Sequence, residues 1–308
     1  MSTEAISRTE RLIVGRLVKT FFAGHVKGRA WPIPEYLPHE RLRFEGNTGA
    51  RLAGIWFPAE KPRGAVVLVH PHRRYGKHWF VKSGWVDFLR SAGFDTLTFD
   101  LAGYGESRGP ATYYHEDVLA AVEVARRWSG GLPVHVVGVS IGAFAAANAA
   151  PRLERVEGLV LESPFPSFNE WYGGGRHRRL MEVFDRTFPK SSRAIQADFN
   201  IAGAAARRVL VAIAEQDEIT SPALSEAVAL AAPASRTEVV RVPGARHLEP
   251  FERSAAYRAA VLRALGVEPA EHKLRAVGAS DALNEGGGDR DAATMPGRFG
   301  DRAPLQMR

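Results

Sequence analysis

The sequence contains no cysteine in its 308 residues. This absence excludes disulfide bonds, thiol nucleophiles, thiolate metal sites and iron–sulfur clusters. A chain of this length can bury a core that is stable without disulfide bonds, so the missing cysteines leave the redox environment open. Any nucleophile in this chain must therefore be a group other than a thiol.

Long uncharged apolar runs are also missing. The nearest candidate, residues 11–24 (RLIVGRLVKTFFAG), is too short to span a membrane and is interrupted by Arg16 and Lys19. Glu4 and Glu10 precede it and no clear small-residue cleavage site follows, so it is a poor secretory signal and we expect a cytoplasmic protein. Its apolar residues recur one helical turn apart, which predicts an amphipathic helix packed on the protein body. The alternative is peripheral contact of this helix with an anionic membrane surface.

Basic residues outnumber acidic ones, which gives a formal net charge of +7 and an isoelectric point near 9.8. A basic chain favours anionic partners in general. The arginines are scattered, however, and no recognisable nucleic-acid-binding motif accompanies them, so we expect no nucleic-acid partner. The simplest interpretation is a solvated basic surface, and nothing in the composition indicates the oligomeric state.

Residues 40–45 (ERLRFE) and 50–57 (ARLAGIWF) flank the turn sequence GNTG, which predicts a β-hairpin. After the hairpin, short continuous apolar runs alternate with segments of helical periodicity. This alternation predicts an α/β fold in which about eight strands, mostly parallel, are covered by helices on both faces. The remaining predicted strands are 65–69, 96–99, 134–139, 158–162, 209–214 and 238–242, and the predicted helices are 79–90, 114–128, 141–149, 222–231 and 251–265.

The pattern divides the chain into three parts. Residues 40–266 form the predicted α/β domain, and residues 1–39 are an amphipathic extension before it. Residues 267–308 are rich in Gly, Asp and Arg and lose the apolar period, which predicts a disordered tail. Within the domain, residues 166–206 show no regular pattern and are predicted to be a long irregular insertion.

The pentapeptide Gly138-Val139-Ser140-Ile141-Gly142 follows a predicted strand and opens a predicted helix. This is the context of a nucleophile elbow, in which the tight turn needs small residues on both sides of the serine. The helix N-terminus places partial positive charge where an oxyanion would form. Ser140 as a plain helix N-cap is the alternative interpretation, and the strand–turn–helix context favours the nucleophile.

This pentapeptide belongs to a set of six landmarks that occur in a characteristic order along the chain. They are the hairpin and the segments VVLVHPH (66–72), TFDLAGYGES (98–107), VGVSIGA (137–143), VLVAIAEQDEI (209–219) and VPGARH (242–247). Together they resemble the α/β-hydrolase superfamily of serine hydrolases, and most closely its lysophospholipase-like and serine aminopeptidase-like branch. The resemblance covers roughly residues 40–265. It implies an α/β-hydrolase fold and a catalytic order of serine, then acid, then histidine.

The resemblance places the acid and the base downstream of Ser140. Asp217 follows the apolar strand 209–214 and matches the acid position, and His247 follows the last predicted strand and matches the base position. The open alternatives are Glu162, Glu215 and Glu218 for the acid and His272, in the predicted tail, for the base.

An oxyanion hole needs two backbone donors. The resemblance assigns one to the amide of Ile141 and the other to His72 in the loop after strand 65–69. The sequence departs from the family pattern there, because Pro71 stands at the usual glycine position and proline fixes φ. His70, His72 and His78 lie close in sequence, but no cysteine or nearby carboxylate completes a usual ligand spacing, so we expect no metal and no other cofactor.

In this superfamily a cap is often inserted where residues 166–206 lie, and we expect a small cap here. Its aromatic and basic residues predict a small-molecule acyl substrate, with Trp171, Tyr172 and Arg178 as binding residues. Arg73, Arg74 and Lys77 in the loop after strand 65–69 suggest a basic entrance for an anionic substrate; solvated side chains are the alternative.

The resemblance implies two-step acyl transfer by Ser140, His247 and Asp217. Ester, thioester and amide substrates share this chemistry, and an ester is favoured by the activities common in this branch. A peptidase, a thioesterase or a C–C hydrolase with the same triad is the first alternative. A non-catalytic binding module that kept the fold is the second.

Overall fold

The computed structural model describes residues 9–10, 13–14, 28–72, 75–109, 111–172 and 175–267. The strands are β1 (Glu40–Glu45), β2 (Arg51–Phe57), β3 (Gly64–Val69), β4 (Phe94–Phe99), β5 (Val134–Val139), β6 (Val156–Glu162), β7 (Arg208–Ala214) and β8 (Thr237–Val242). The helices are α1 (Trp79–Lys82), α2 (Trp85–Ser91), α3 (Tyr114–Trp128), α4 (Ile141–Ala149), α5 (Phe168–Tyr172), α6 (Gly175–Thr187), α7 (Pro189–Ala194), α8 (Ala197–Ile201), α9 (Pro222–Ala231), α10 (Pro250–Arg253) and α11 (Ala255–Ala264).

The strands form one eight-stranded sheet in the order β1-β2-β4-β3-β5-β6-β7-β8. Strands β1, β2 and β4 pair antiparallel, and β4, β3, β5, β6, β7 and β8 pair in parallel. Alternate residues of each central strand belong to two core clusters on opposite faces, one with α3, α4 and α9 and the other with α1, α2 and α11. Both faces are buried, which explains the continuous apolar strands. The predicted α/β-hydrolase fold is confirmed.

Three segments differ from the sequence prediction. The single helix expected over residues 79–90 is two helices, because Gly84 between them has φ +77. The helix expected over 251–265 is also two, and Ser254 between them caps α11 by accepting a hydrogen bond from the amide of Tyr257 at 3.0 Å. The expectation of an irregular stretch at 166–206 is wrong, because the segment carries α5 to α8. Most of these helices are too short to show a helical period in the sequence.

The predicted N-terminal helix over 11–24 lies mostly outside the described residues, and so does the predicted tail. In the described part of the N-terminal segment, Val14 is fully buried in a core cluster. The hydroxyl of Tyr113 donates to Ser191 at 2.8 Å, and Ser191 donates to the carboxylate of Glu10 at 2.6 Å. These contacts pack this part of the segment on the body of the protein; membrane contact stays a prediction. Within the described ranges, no helix combines the length and apolarity needed to cross a bilayer.

Helix α4 lies unusually close to the sheet. A Cβ on Gly142 would fall 2.0 Å from the carbonyl oxygen of Val69, and a Cβ on Gly138 would fall 2.4 Å from the carbonyl oxygen of Gly142. Real Cβ atoms do not approach backbone this closely, so only glycine fits at either position. The close approach of α4 to β3 and β5 fixes the turn that carries Ser140.

We predict that Gly142→Ala lowers the free energy of unfolding by more than about 2 kcal/mol, because the new methyl group overlaps rigid backbone and overpacks the core. Urea denaturation of the variant and the wild-type protein measures the difference. Gly203→Ala is the matched control, since its added methyl group meets only ordinary contacts at 3.6 Å. Equal stability of the two variants would contradict the packing argument.

Candidate active site

The turn between β5 and α4 presents Ser140 in a strained backbone conformation. Ser140 has φ 55 and ψ −118, a region that non-glycine residues rarely adopt. Its amide donates to the carbonyl of Glu162 at 2.8 Å, and its own carbonyl accepts from the amide of Phe144 at 2.9 Å. These two bonds tie the turn to the neighbouring strand and to the first turn of α4, and they hold the side chain at the carboxyl edge of the sheet.

The structure brings Ser140, Asp217 and His247 into one line of hydrogen bonds. Nε2 of His247 lies 3.0 Å from Oγ of Ser140, and Nδ1 of His247 lies 2.8 Å from Oδ2 of Asp217. The carboxylate can only accept from a neutral imidazole, so Nδ1–H donates to Asp217 and Nε2 is left to accept from the serine hydroxyl. Oδ1 of Asp217 accepts from the amides of Ile219 at 2.9 Å and Thr220 at 2.7 Å.

The loops that carry the acid and the histidine are joined through their backbones. The amide of Gln216 donates to the carbonyl of Ala245 at 2.8 Å, and the amide of Glu215 donates to the carbonyl of Val242 at 3.2 Å. The segment containing Asp217 and the segment containing His247 are therefore held together independently of their side chains. This backbone pairing continues the parallel contact of β7 with β8.

The alternative acids lie elsewhere. Glu215 and Glu218 are exposed, whereas the side chain of Asp217 is fully buried against His247. Glu162 is fully buried, and neither oxygen of its carboxyl group has a hydrogen-bond partner of ordinary geometry. The alternative base, His272, lies outside the described residues.

The loop after β3 is anchored by His70, which is buried. Nδ1 of His70 lies 2.8 Å from the carbonyl oxygen of Pro71, and Nε2 accepts from the amide of Leu101 at 3.0 Å. Burial lowers the pKa of His70, which favours the neutral ring, and the amide hydrogen that Nε2 accepts leaves the ring proton on Nδ1. The ring thus ties the loop after β3 to the loop after β4. In the described part of the chain, no group of three His, Asp or Glu side chains is arranged to hold a metal ion.

The two residues predicted for the oxyanion hole lie beside this anchor. Ile141 is the first residue of α4, so its amide has no carbonyl partner one turn earlier in the helix. Nδ1 of His72 lies 2.6 Å from the hydroxyl of Tyr104. Tyr104 was not predicted as a site residue, because its contact with His72 has no signal in either sequence segment alone.

Lys77 is not part of a basic entrance, which corrects the expectation from sequence. Its side chain is 3% exposed, and Nζ lies 2.6 Å from Asp100 and 2.7 Å from Glu106. The amide of Lys77 also donates to Asp100 at 2.9 Å. Two carboxylates therefore neutralise this cation, and the ammonium group lowers the pKa of Glu106. Arg73 and Arg74 lie outside the described residues.

The predicted substrate-binding residues are only partly described. Trp171 lies on α5; its indole N–H donates to the carbonyl of Ile219 at 3.1 Å, and its ring stacks on Phe165. Tyr172 is on α5 and Arg178 on α6, but their side chains lie outside what the structure describes. Of the three, only Trp171 is therefore placed beside the catalytic candidates, through the loop that holds Asp217.

Besides Asp217 itself, a second buried carboxyl group, that of Glu162, lies in this region. The pKa of Glu162 is raised to about 8: burial raises it most, the nearby hydroxyl of Tyr257 lowers it, and the charge of Asp217 makes a smaller contribution that raises it. Asp217, by contrast, accepts two amide hydrogens and the imidazole N–H. Glu162 therefore holds its proton to a higher pH than an ordinary carboxyl group does, and Asp217 is the carboxyl group that lies against His247.

We predict that Glu162→Gln flattens the pH dependence of stability. The folded pKa of about 8 lies above the ordinary value of 4.5, so the folded protein keeps a proton that the unfolded chain releases. Stability is therefore lost as pH rises from about 4.5 to about 8. Glutamine has no proton to lose, so the melting temperature of the variant should fall less than that of the wild type between pH 5 and pH 9.

The matched control is Glu252→Gln, which replaces an exposed carboxyl group and should follow the wild-type curve. Asp117, whose pKa burial raises to about 7, contributes equally to all three proteins and cancels in the comparison. Parallel curves for the wild type and Glu162→Gln would show that Glu162 does not hold a proton in the folded state.

Part of the chain matches a known protein family. Residues 60–202 match the family described as "Serine aminopeptidase, S33". The human protein ABHD12B is 32% identical over 126 residues, which cover 38% of this chain and 33% of that protein. Lysophosphatidylserine lipase ABHD12 from Gallus gallus is 38% identical over 91 residues, covering 27% of this chain and 23% of that protein. The chain thus matches about a third or less of these relatives' length.

Solved structures show the same fold. The esterase Pf2001 from Pyrococcus furiosus superposes with a TM-score of 0.62 at 17% identity, over 79% of this chain and 98% of that chain. Acetyl xylan esterase 1 from a Thermoanaerobacterium species superposes with a TM-score of 0.55 at 16% identity, over 77% of this chain and 85% of that chain. At these identities the likeness concerns the fold alone.

Proposed function

Because this chain belongs to the α/β-hydrolase superfamily, we propose that it is a serine hydrolase that cleaves a carboxylic ester or thioester through an acyl-enzyme. The observation that carries the proposal is the line of hydrogen bonds from Ser140 through His247 to Asp217, with atom pairs at 3.0 and 2.8 Å. A serine hydroxyl is a weak nucleophile at neutral pH, and this arrangement supplies the base and the group that orients it.

In the first half of the reaction, Oγ of Ser140 attacks the carbonyl carbon while its proton moves to Nε2 of His247. Asp217 holds the imidazole through Nδ1–H and stabilises the imidazolium that forms. Collapse of the tetrahedral intermediate breaks the bond to the leaving alcohol or thiol, which takes the proton from Nε2. In the second half, water adds to the acyl-enzyme with His247 again as the base, and the acid product leaves with Ser140 restored.

The charge on the intermediate falls on the carbonyl oxygen, next to the N-terminus of α4. The amide of Ile141 and a donor at His72 are the proposed oxyanion donors, worth about 3 kcal/mol each where such a donor has been removed in other enzymes. The contacts of His70 and Lys77 with the loop after β4 support the second donor. They hold His70 and Lys77, on either side of the segment that contains Pro71, against the loop after β4.

An ester is the favoured substrate class because a relative of this chain is named as a lysophosphatidylserine lipase. The partly buried ring of Phe168 beside α4 suits an apolar acyl group. An amide substrate is the second candidate, and the observation that favours it is the match to the serine aminopeptidase family. The triad serves both reactions equally.

We predict that a fluorophosphonate forms a single covalent adduct with the wild-type protein and none with Ser140→Ala. The reagent needs an activated serine, and only the serine paired with His247 should react. Intact-mass spectrometry measures the adduct. Ser91→Ala, which removes an exposed hydroxyl remote from His247, should label like the wild type.

A substrate panel of p-nitrophenyl esters, acyl thioesters and aminoacyl anilides then separates the candidates. We expect ester or thioester cleavage with kcat/KM at least about 1,000-fold lower in Ser140→Ala. Anilide cleavage in preference to esters would favour the peptidase candidate. A folded wild-type protein that forms no adduct and cleaves nothing would overturn the proposal in favour of a binding module.

A further inference from the structure

The indole N–H of Trp171 donates a hydrogen bond to the protein backbone, which a residue of the substrate pocket would not need. The sequence pattern predicts that Trp171 is a substrate-binding residue of the cap. In the structure its indole N–H donates to the backbone carbonyl of Ile219 at 3.1 Å. The two residues are 48 positions apart, and the bond joins helix α5 of the predicted cap to the loop after β7.

Ile219 belongs to the loop that holds the candidate acid. Its amide donates to Oδ1 of Asp217 at 2.9 Å, and the next amide, of Thr220, donates to the same oxygen at 2.7 Å. Ile219 therefore uses its N–H on Asp217 and its carbonyl on Trp171. A displacement of the Ile219 carbonyl rotates the peptide that gives Thr220 its N–H, because the two groups share one rigid plane.

The ring of Trp171 makes a second connection, to the nucleophile. It stacks on Phe165, with ring centroids 5.4 Å apart and planes inclined by 21°. Phe165 stacks in turn on Phe144, at 4.6 Å and 6°. Phe144 lies in the first turn of α4, and its amide donates to the carbonyl of Ser140 at 2.9 Å. Trp171 thus contacts the acid loop directly through its N–H, and its ring is connected to the nucleophile helix through Phe165.

We propose that Trp171 is a positioning residue that ties helix α5 to the loop carrying Asp217, so that alignment of the acid and His247 depends on the cap being in place. The proposal rests on the proposed function, because it assigns Trp171 a role in the same site. Oδ2 of Asp217 can orient His247 only while Oδ1 is held by the two amides of its loop. Loss of the indole bond loosens that loop without removing any group that reacts.

The test is Trp171→Phe, which keeps an aromatic ring for stacking and removes the N–H donor. We expect kcat on a p-nitrophenyl ester to fall about 3- to 10-fold, as for loss of one orienting hydrogen bond, with KM changed less than twofold. The acidic limb of the pH profile of kcat/KM should also move to lower pH. A less firmly held carboxylate stabilises the imidazolium less, so the base stays neutral in more acidic solution.

Trp128→Phe is the matched control, because it makes the same change at a half-exposed tryptophan at the end of α3 and should leave kcat, KM and the pH profile unchanged. Trp171→His restores a ring N–H on a smaller ring and should recover part of the lost kcat. Melting temperatures of all variants show that each is folded at the assay temperature.

Two results would separate the failure of this proposal from that of the proposed function. If Trp171→Phe keeps the wild-type kcat and pH profile and changes only KM or acyl-chain preference, Trp171 is a wall of the substrate pocket and the positioning role is wrong. If the wild-type protein itself forms no fluorophosphonate adduct and cleaves no ester, the proposed function fails first. Equal rates of fluorophosphonate labelling for the wild type and Trp171→Phe would also contradict the positioning role.

Discussion

The contact on which the rest of the site depends is the approach of α4 to β3 and β5, with no side chain between them at Gly142. That approach forces the chain to turn within one residue, and Ser140 accepts φ 55 as a result. Strain of this kind costs of the order of 1–3 kcal/mol and persists only where the surroundings over-determine it. Here the alanines of α4 are fully buried, and backbone bonds fix both sides of Ser140.

The parallel sheet converts this local turn into a site. Ser140 follows β5, Asp217 follows β7 and His247 follows β8, and parallel strands end at the same edge. His70 follows β3 and Asp100 follows β4. Hydrogen bonds of these two residues join the loop after β3 to the loop after β4 at the same edge. Five segments spread over the chain therefore meet at one edge without any of them crossing the core.

The features that could be predicted from the sequence are those that depend on residues close together in the chain. Continuous apolar runs fix the buried strands, and Gly138 and Gly142 were recognised because the glycine–serine–glycine spacing stands between a predicted strand and a predicted helix, although the contact that requires Gly142 is with Val69 on another strand. The break at Gly84 was missed because a glycine inside a helical period is often tolerated. The inward direction of Lys77 and the bond from Trp171 to Ile219 were missed for a different reason. Their partners lie 23 and 48 residues away, and no periodicity records such pairs.

Three buried carboxyl groups near the edge show how the fold decides which of them carries charge beside the serine. Asp100 receives the ammonium group of Lys77 and the amides of Lys77 and Glu106. Asp217 receives two amides and an imidazole, whereas Glu162, on the strand between those of Ser140 and Asp217, receives no hydrogen bond of ordinary geometry. Burial without well-formed hydrogen bonds favours the protonated carboxyl group, and the pKa of Glu162 is raised to about 8. Of these two carboxyl groups, Asp217 is the one in hydrogen-bond contact with His247. The donors, which belong to loops and backbone, therefore select the acid, although Glu162 lies on the strand next to the one that leads into Ser140.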